Sequence, residues 1–66
     1  MQIYLNGEQQ QVPDNISMAA LIESLGLSGK RIAVEVNEEL VPRSTYSDHK
    51  LKPQDIVEIV HAIGGG

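Results

Sequence analysis

The residues best placed to do chemistry are the last three. Gly64-Gly65-Gly66 follow directly on an apolar, β-branched run. Glycine has no Cβ, so such a tail is expected to thread a slot too narrow for side chains and to take φ values closed to other residues. Three extended residues reach roughly 10 Å, at about 3.3 to 3.6 Å each. That reach would carry a free α-carboxylate on Gly66 into another protein's active site. A carboxylate is inert until it becomes an acyl-adenylate or similar anhydride, after which a sulfur or nitrogen nucleophile can take the acyl group. A carrier of this kind needs no catalytic residue of its own. Terminal glycines also occur in frayed ends, so the reading depends on the elements that precede them.

Other reactive groups are weaker candidates. His49 and His61 have no third ligand at a recognisable spacing, and two imidazoles do not make a metal site. Ser17, Ser44, Thr45 and Ser47 have no His and acid arrangement around them, and a small domain has little room for a substrate cleft. The five basic residues, Lys30, Arg31, Arg43, Lys50 and Lys52, are scattered and read as solvated charges rather than a phosphate track. Arg43, after Val41-Pro42, reads as a surface ion pair or a backbone contact.

Composition narrows the field further. Nine acidic residues against five basic give a formal charge of -4, which argues against nucleic acid and anionic membranes as partners and favours a basic partner surface. The absence of Cys removes disulfides and thiolate zinc sites. No signal peptide and no run of about 18 apolar residues is present, so a cytoplasmic location is expected. A chain of 66 residues is expected to form a single domain over 1–66, with 64–66 as a flexible glycine tail. At that size about 60% of the unfolded surface is buried, so aliphatic packing must supply the stability.

The elements that must position the tail follow from periodicity. In Met1 to Leu5, Met1, Ile3 and Leu5 share one face while Gln2 and Tyr4 share the other, which predicts a strand. Asn6-Gly7 is the signature of a type I′ hairpin turn, so Glu8 to Val12 should return antiparallel as a Gln-rich edge, ended by Pro13. Ser17 is placed to cap a helix from Met18 to Leu25, whose stripe is Met18, Leu21, Ile22 and Leu25, with Gly26 as its C-terminal cap.

A strand over Arg31 to Asn37 turns Ile32, Val34 and Val36 inward, then Asn37-Glu38-Glu39 turns into a short strand around Leu40-Val41. Glu38 stands where glycine would suit the turn best. Arg43 to Lys52 is polar, anchored by Tyr46 and Leu51, and Lys52-Pro53-Gln54-Asp55 is a turn with Pro at its favoured second position. Ile56 to Ile63 is apolar enough for a central strand. The order β-β-α-β-β-β predicts an α+β roll of the ubiquitin-like β-grasp type: a mixed sheet of four to five strands with one main helix across it. Glu58 sets the phase of the last strand, which puts Val57, Ile59, His61 and Ile63 toward the helix and Val60 and Ala62 outside. With Tyr4 on the outer face of the first strand, these form an exposed apolar patch leading to the tail, a candidate docking face.

At this point the chain resembles the ThiS/MoaD family of ubiquitin-like sulfur carriers over its whole length. The resemblance is carried by Gln2-Ile3 with Asn6-Gly7, by Ala33-Val34-Glu35-Val36-Asn37, by Val41-Pro42-Arg43, by Asp55-Ile56-Val57-Glu58-Ile59-Val60 and by the terminal Gly65-Gly66. The glycine pair is the specific functional mark; the rest specifies the fold. Gly64 is a departure, since a bulkier residue can precede the pair. The resemblance implies that a ThiF-type adenylyltransferase uses ATP and magnesium to adenylate Gly66, that sulfur from a cysteine desulfurase route makes a thiocarboxylate, and that a ThiG-type thiazole synthase receives the sulfur for thiamine. Gly65 and Gly64 would serve threading, and Tyr4, Val60 and Ala62 docking. It implies no enzyme activity and no cofactor in the carrier itself. The same tail chemistry also suits the small subunit of molybdopterin synthase or a ubiquitin-like protein modifier, and a plain interaction module would not depend on the tail.

Overall fold

A computed structural model describes residues 1–62. The elements are β1 (Gln2–Leu5), β2 (Glu8–Gln11), α1 (Met18–Ser24), β3 (Ile32–Val36), β4 (Glu39–Leu40), a 3₁₀ turn (Arg43–Thr45) and β5 (Ile56–His61). They form one mixed sheet in the order β2-β1-β5-β3-β4. β5 runs parallel to β1 and antiparallel to β3. The last strand is therefore the central one, as its β-branched sequence predicts. The expected α+β architecture of a mixed sheet and one helix is the one observed. None of the helices among the described residues is long and apolar enough to cross a membrane.

The core lies between α1 and one face of the sheet. It is built from Ile3, Met18, Leu21, Ile22, Val34, Val36, Val41, Leu51, Val57 and Ile59, with Met1, Leu5 and Tyr46 among the residues packed against it. Ile3, Val34, Val36, Val57 and Ile59 are the inward positions of the alternating strands, Met18, Leu21 and Ile22 are the apolar stripe of α1, and Val41 and Leu51 come from the connecting segments. Leu51 and the half-buried Tyr46 anchor the polar segment as expected.

Two features of α1 explain how seven residues hold as a helix. Short helices are marginal alone, and each N-terminus leaves backbone donors without partners. Here Met18 N donates to His49 O at 2.8 Å, Ala19 N to Tyr46 O at 3.0 Å, and Ala20 N to the Ser17 hydroxyl at 3.1 Å. The polar loop is thus the cap of the helix. At the other end Gly26 (φ +73°) donates to Glu23 O and Leu27 N donates to Ile22 O, the paired bonds of a Schellman motif.

That reversal corrects one expectation. Leu25 was expected in the buried stripe, but it sits at the C-cap, 40% exposed, because the chain turns away one residue before its side chain could reach the sheet. Leu27 packs against the core instead. His61 differs also: it keeps the phase of Val57 and Ile59 along β5 but is exposed at the strand end. Leu40, in the short β4, is exposed while the following Val41 is buried.

Both hairpins use left-handed asparagines. Asn6 and Gly7 have φ of +50° and +85°, and Asn37 and Glu38 have +52° and +69°. Two successive positive φ values are the type I′ turn that Asn6-Gly7 predicts. Glu38 adopts the same geometry although it carries a Cβ, so the second turn is the strained one. Gln54 (φ +71°) follows Pro53 in a turn closed by Asp55 N donating to Lys52 O, which fits type II.

Candidate functional site

The candidate site begins where β5 leaves the sheet. A tail that must be presented to a partner needs a fixed origin, and β5 has neighbours on both sides. On one side its register with β3 runs from Val36↔Val57 to Ile32↔His61, and Ala62 N then donates to Arg31 O at 2.9 Å. On the other side β1 ends early, at Leu5↔Val57. The Asn6 amide group takes over from there. Asn6 Oδ1 accepts from Ile59 N at 2.9 Å and Asn6 Nδ2 donates to Ile59 O at 3.2 Å, so a side chain extends the ladder by one peptide unit.

Asn37 makes a matching contact at the start of β5. Its N donates to Ile56 O at 2.8 Å and its Oδ1 accepts from Ile56 N at 3.0 Å. Asn37 Nδ2 also donates to Asp55 Oδ1 at 3.0 Å, while Asp55 Oδ2 accepts from Lys52 N at 2.8 Å. Asp55 is the buried polar residue of the described chain, and both its oxygens are bonded. The two turn asparagines and this carboxylate fix the central strand along its length. Nothing in the local sequence pattern identifies these contacts, since Asn6 and Ile59 are 53 residues apart.

The face of the sheet away from α1 carries the docking candidates. Val60 (58% exposed), Ile56 (53%) and Leu40 (68%) all lie on it, because Glu35 pairs with both Glu58 and Leu40 and β5 alternates Ile56, Glu58, Val60 outward. Tyr4 is on the same face but opposite Ile56. Val60 lies four residues further along β5, about 13 Å at 3.3 Å per residue. Tyr4 and Val60 therefore stand at two ends of the face, with Ile56 and Glu58 between them. Ala62 is exposed beside the point where the sheet ends. Ile56 and Leu40 were not singled out from sequence, although the phase set by Glu58 already turns Ile56 outward. The expected inward Ile63 and the three tail residues Gly64, Gly65 and Gly66 lie outside the described residues.

Several hydroxyls do structural work in the fold. The Ser17 hydroxyl caps α1, Ser24 Oγ donates to Leu21 O, and Thr45 Oγ1 donates to Pro42 O. Arg43 Nη2 donates to Lys30 O at 3.3 Å, the second of the two contacts, ion pair or backbone, expected of it. Among the described residues no three His, Cys, Asp or Glu side chains come together as metal ligands.

A five-stranded mixed sheet with a parallel pairing of first and last strands and one helix across it is a β-grasp fold. A solved structure of thiamine biosynthesis protein ThiS from Geobacter metallireducens has the same architecture, with a TM-score of 0.87 and 26% identity, each chain covered completely. The ThiS family model matches residues 3–66, and this chain belongs to the ThiS family. Among relatives, sulfur carrier protein ThiS of Bacillus subtilis is 34% identical over 97% of this chain and 98% of its own length. Thiazole synthase of Paramagnetospirillum magneticum is 38% identical over all of this chain. A thiazole synthase of Magnetococcus marinus is 39% identical over the same span. The chain spans about one fifth (20%) of the length of those two synthases.

Proposed function

We propose that this protein is a sulfur carrier of thiamine biosynthesis whose working group is the carboxylate of Gly66. The observation that carries the reading is the family match, which runs through the glycine residues to position 66. A central strand tied to both neighbours supports it, because it gives a thin tail a fixed origin.

In the proposed cycle the Gly66 carboxylate oxygen attacks the α-phosphorus of magnesium-ATP on a ThiF-type adenylyltransferase, and pyrophosphate leaves. The terminal sulfur of a persulfide from a cysteine desulfurase route then attacks the acyl carbon, so that the C–S bond forms and the C–O bond to AMP breaks. A thiol then cleaves the S–S bond of the resulting acyl disulfide, which releases the thiocarboxylate and leaves the two thiol sulfurs oxidised to a disulfide. The activated carbonyl supplies the reactivity, and the carrier contributes no acid, base or cofactor. Gly65 and Gly64 supply the narrow backbone that enters the partner. Tyr4, Val60 and Ala62, joined by Ile56, dock on the partner through the open face. A ThiG-type thiazole synthase is the acceptor, a choice supported by the two thiazole synthases that contain a segment matching this whole chain. The cycle is assigned to the cytoplasm, the location expected from the sequence.

The test is exchange of labelled pyrophosphate into ATP by a ThiF-type enzyme. The proposal requires exchange that depends on this protein and is lost when Gly66 is deleted. An enzyme active with its own carrier but silent with this one would overturn it.

A further inference from the structure

A second surface lies on the opposite side of the sheet from the docking face. Between the C-terminal end of α1, the loop before β3 and the 3₁₀ turn is an open cavity of about 270 Å³. Ile22, Leu27, Ile32 and Tyr46 supply its apolar walls, and Lys30 and Arg43 stand on its rim. The Schellman turn holds Leu27 against Ile22, and Lys30 N donates to Leu27 O at 3.0 Å, so the loop is fixed by backbone bonds. The cavity adjoins the start of β3, where Ile32 pairs with His61 and Ala62 N bonds Arg31 O. It therefore sits at the end of the sheet from which residues 63–66 continue.

Its charge is the reverse of the chain's. The protein has a formal charge of -4, and the open face carries Glu35 and Glu58 directly opposite each other. At the cavity two cations meet instead. Arg43 spends one N–H on Lys30 O at 3.3 Å, and a guanidinium has five N–H donors. The Lys30 ammonium has no ion-pair or hydrogen-bond partner among the described residues. An apolar hollow with a cationic rim selects a ligand that joins an aliphatic group to a carboxylate, and a guanidinium favours two-point contact with that carboxylate.

We propose that this cavity is a second protein-docking site, which takes a partner segment presenting a leucine- or isoleucine-sized side chain next to an aspartate or glutamate. The aliphatic side chain fills the space between Ile22, Leu27, Ile32 and Tyr46, and the carboxylate pairs with Arg43 and Lys30. Because the two faces differ in sign, one partner element cannot serve both. The carrier then holds one protein on its acidic, apolar sheet face and a different one on its basic helix side. Transfer from one partner to the next would not require full release.

The experiment is a titration of the ¹⁵N-labelled full chain with the peptide acetyl-Glu-Leu-Glu-amide, followed by NMR. The expected result is saturable shifts of the amides of residues 27–30 and of Ile22 and Ile32, with those of Ala33 and Val60 unmoved. The neutral peptide acetyl-Gln-Leu-Gln-amide should bind at least tenfold more weakly. The double variant K30E/R43E should lose the acidic peptide by at least tenfold and gain acetyl-Lys-Leu-Lys-amide, which shows that the altered protein is folded and that charge decides the choice. Equal binding of acidic and neutral peptides, or shifts confined to the sheet face, would overturn the proposal. So would movement of the same amides on deleting residues 64–66, since the cavity would then belong to the chain's own tail.

Discussion

Asn6 and Asn37 each do two jobs that no other residue type does together. They accept a positive φ in a type I′ turn, and their amide groups bond the central strand: Asn6 gives Ile59 both a donor and an acceptor, while Asn37 accepts from Ile56 N and donates to the Asp55 carboxylate just before the strand. Asn6→Asp separates the two, because aspartate tolerates the left-handed conformation but cannot donate to Ile59 O. The variant should lose about 0.5–1.5 kcal/mol of stability, the net worth of one partly buried hydrogen bond, readable in urea denaturation. Glu38 poses the reverse case: its side chain makes no hydrogen bond or ion pair among the described residues, while its φ of +69° carries the left-handed penalty of about 1–2 kcal/mol. Glycine removes that strain and gives back about 0.5–1 kcal/mol in backbone entropy. Glu38→Gly should therefore raise stability by up to about 1.5 kcal/mol in the same assay.

Element by element, the local pattern carries much of the fold. Period-2 alternation identifies the strands, Asn6-Gly7 the first hairpin, and Ser17 and Gly26 the two ends of α1. What the pattern misses is set by geometry beyond the window in which it is read. Leu25 satisfies a helical stripe at i+7, yet Gly26 ends the helix before that position turns inward. The separation of Tyr4 from Val60 depends on the register of β1 against β5, which only the folded sheet determines. The candidate site divides the same way: the outward phase of Val60 is legible from residue types, whereas the Asn6 clamp and the cationic cavity arise from distant segments. The Schellman turn makes a testable demand on α1. Gly26→Ala keeps the helix sequence but places a Cβ at φ +73°, so it should cost about 1–2 kcal/mol and speed amide exchange in residues 21–25.

For the molecule as a whole, a fold that must be stable stands apart from the surfaces and the tail that must be available. Val60 and Ile56 are more than half exposed, and surface changes of this kind move stability by about 0.5 kcal/mol or less. Val60→Asp should leave the thermal midpoint unchanged and still lower the rate of activation by a ThiF-type enzyme about tenfold, measured by pyrophosphate exchange. Deleting Gly65 and Gly66 should likewise leave the midpoint in place while abolishing exchange, because terminal residues contribute little to stability. The most direct measurement of the central claim is the intact mass of the protein after incubation with a ThiF-type enzyme, magnesium-ATP and a sulfide source. The account predicts a gain equal to replacement of one oxygen by sulfur, absent when Gly66 is deleted. An unchanged mass, with the enzyme proven active on its own carrier, would contradict it.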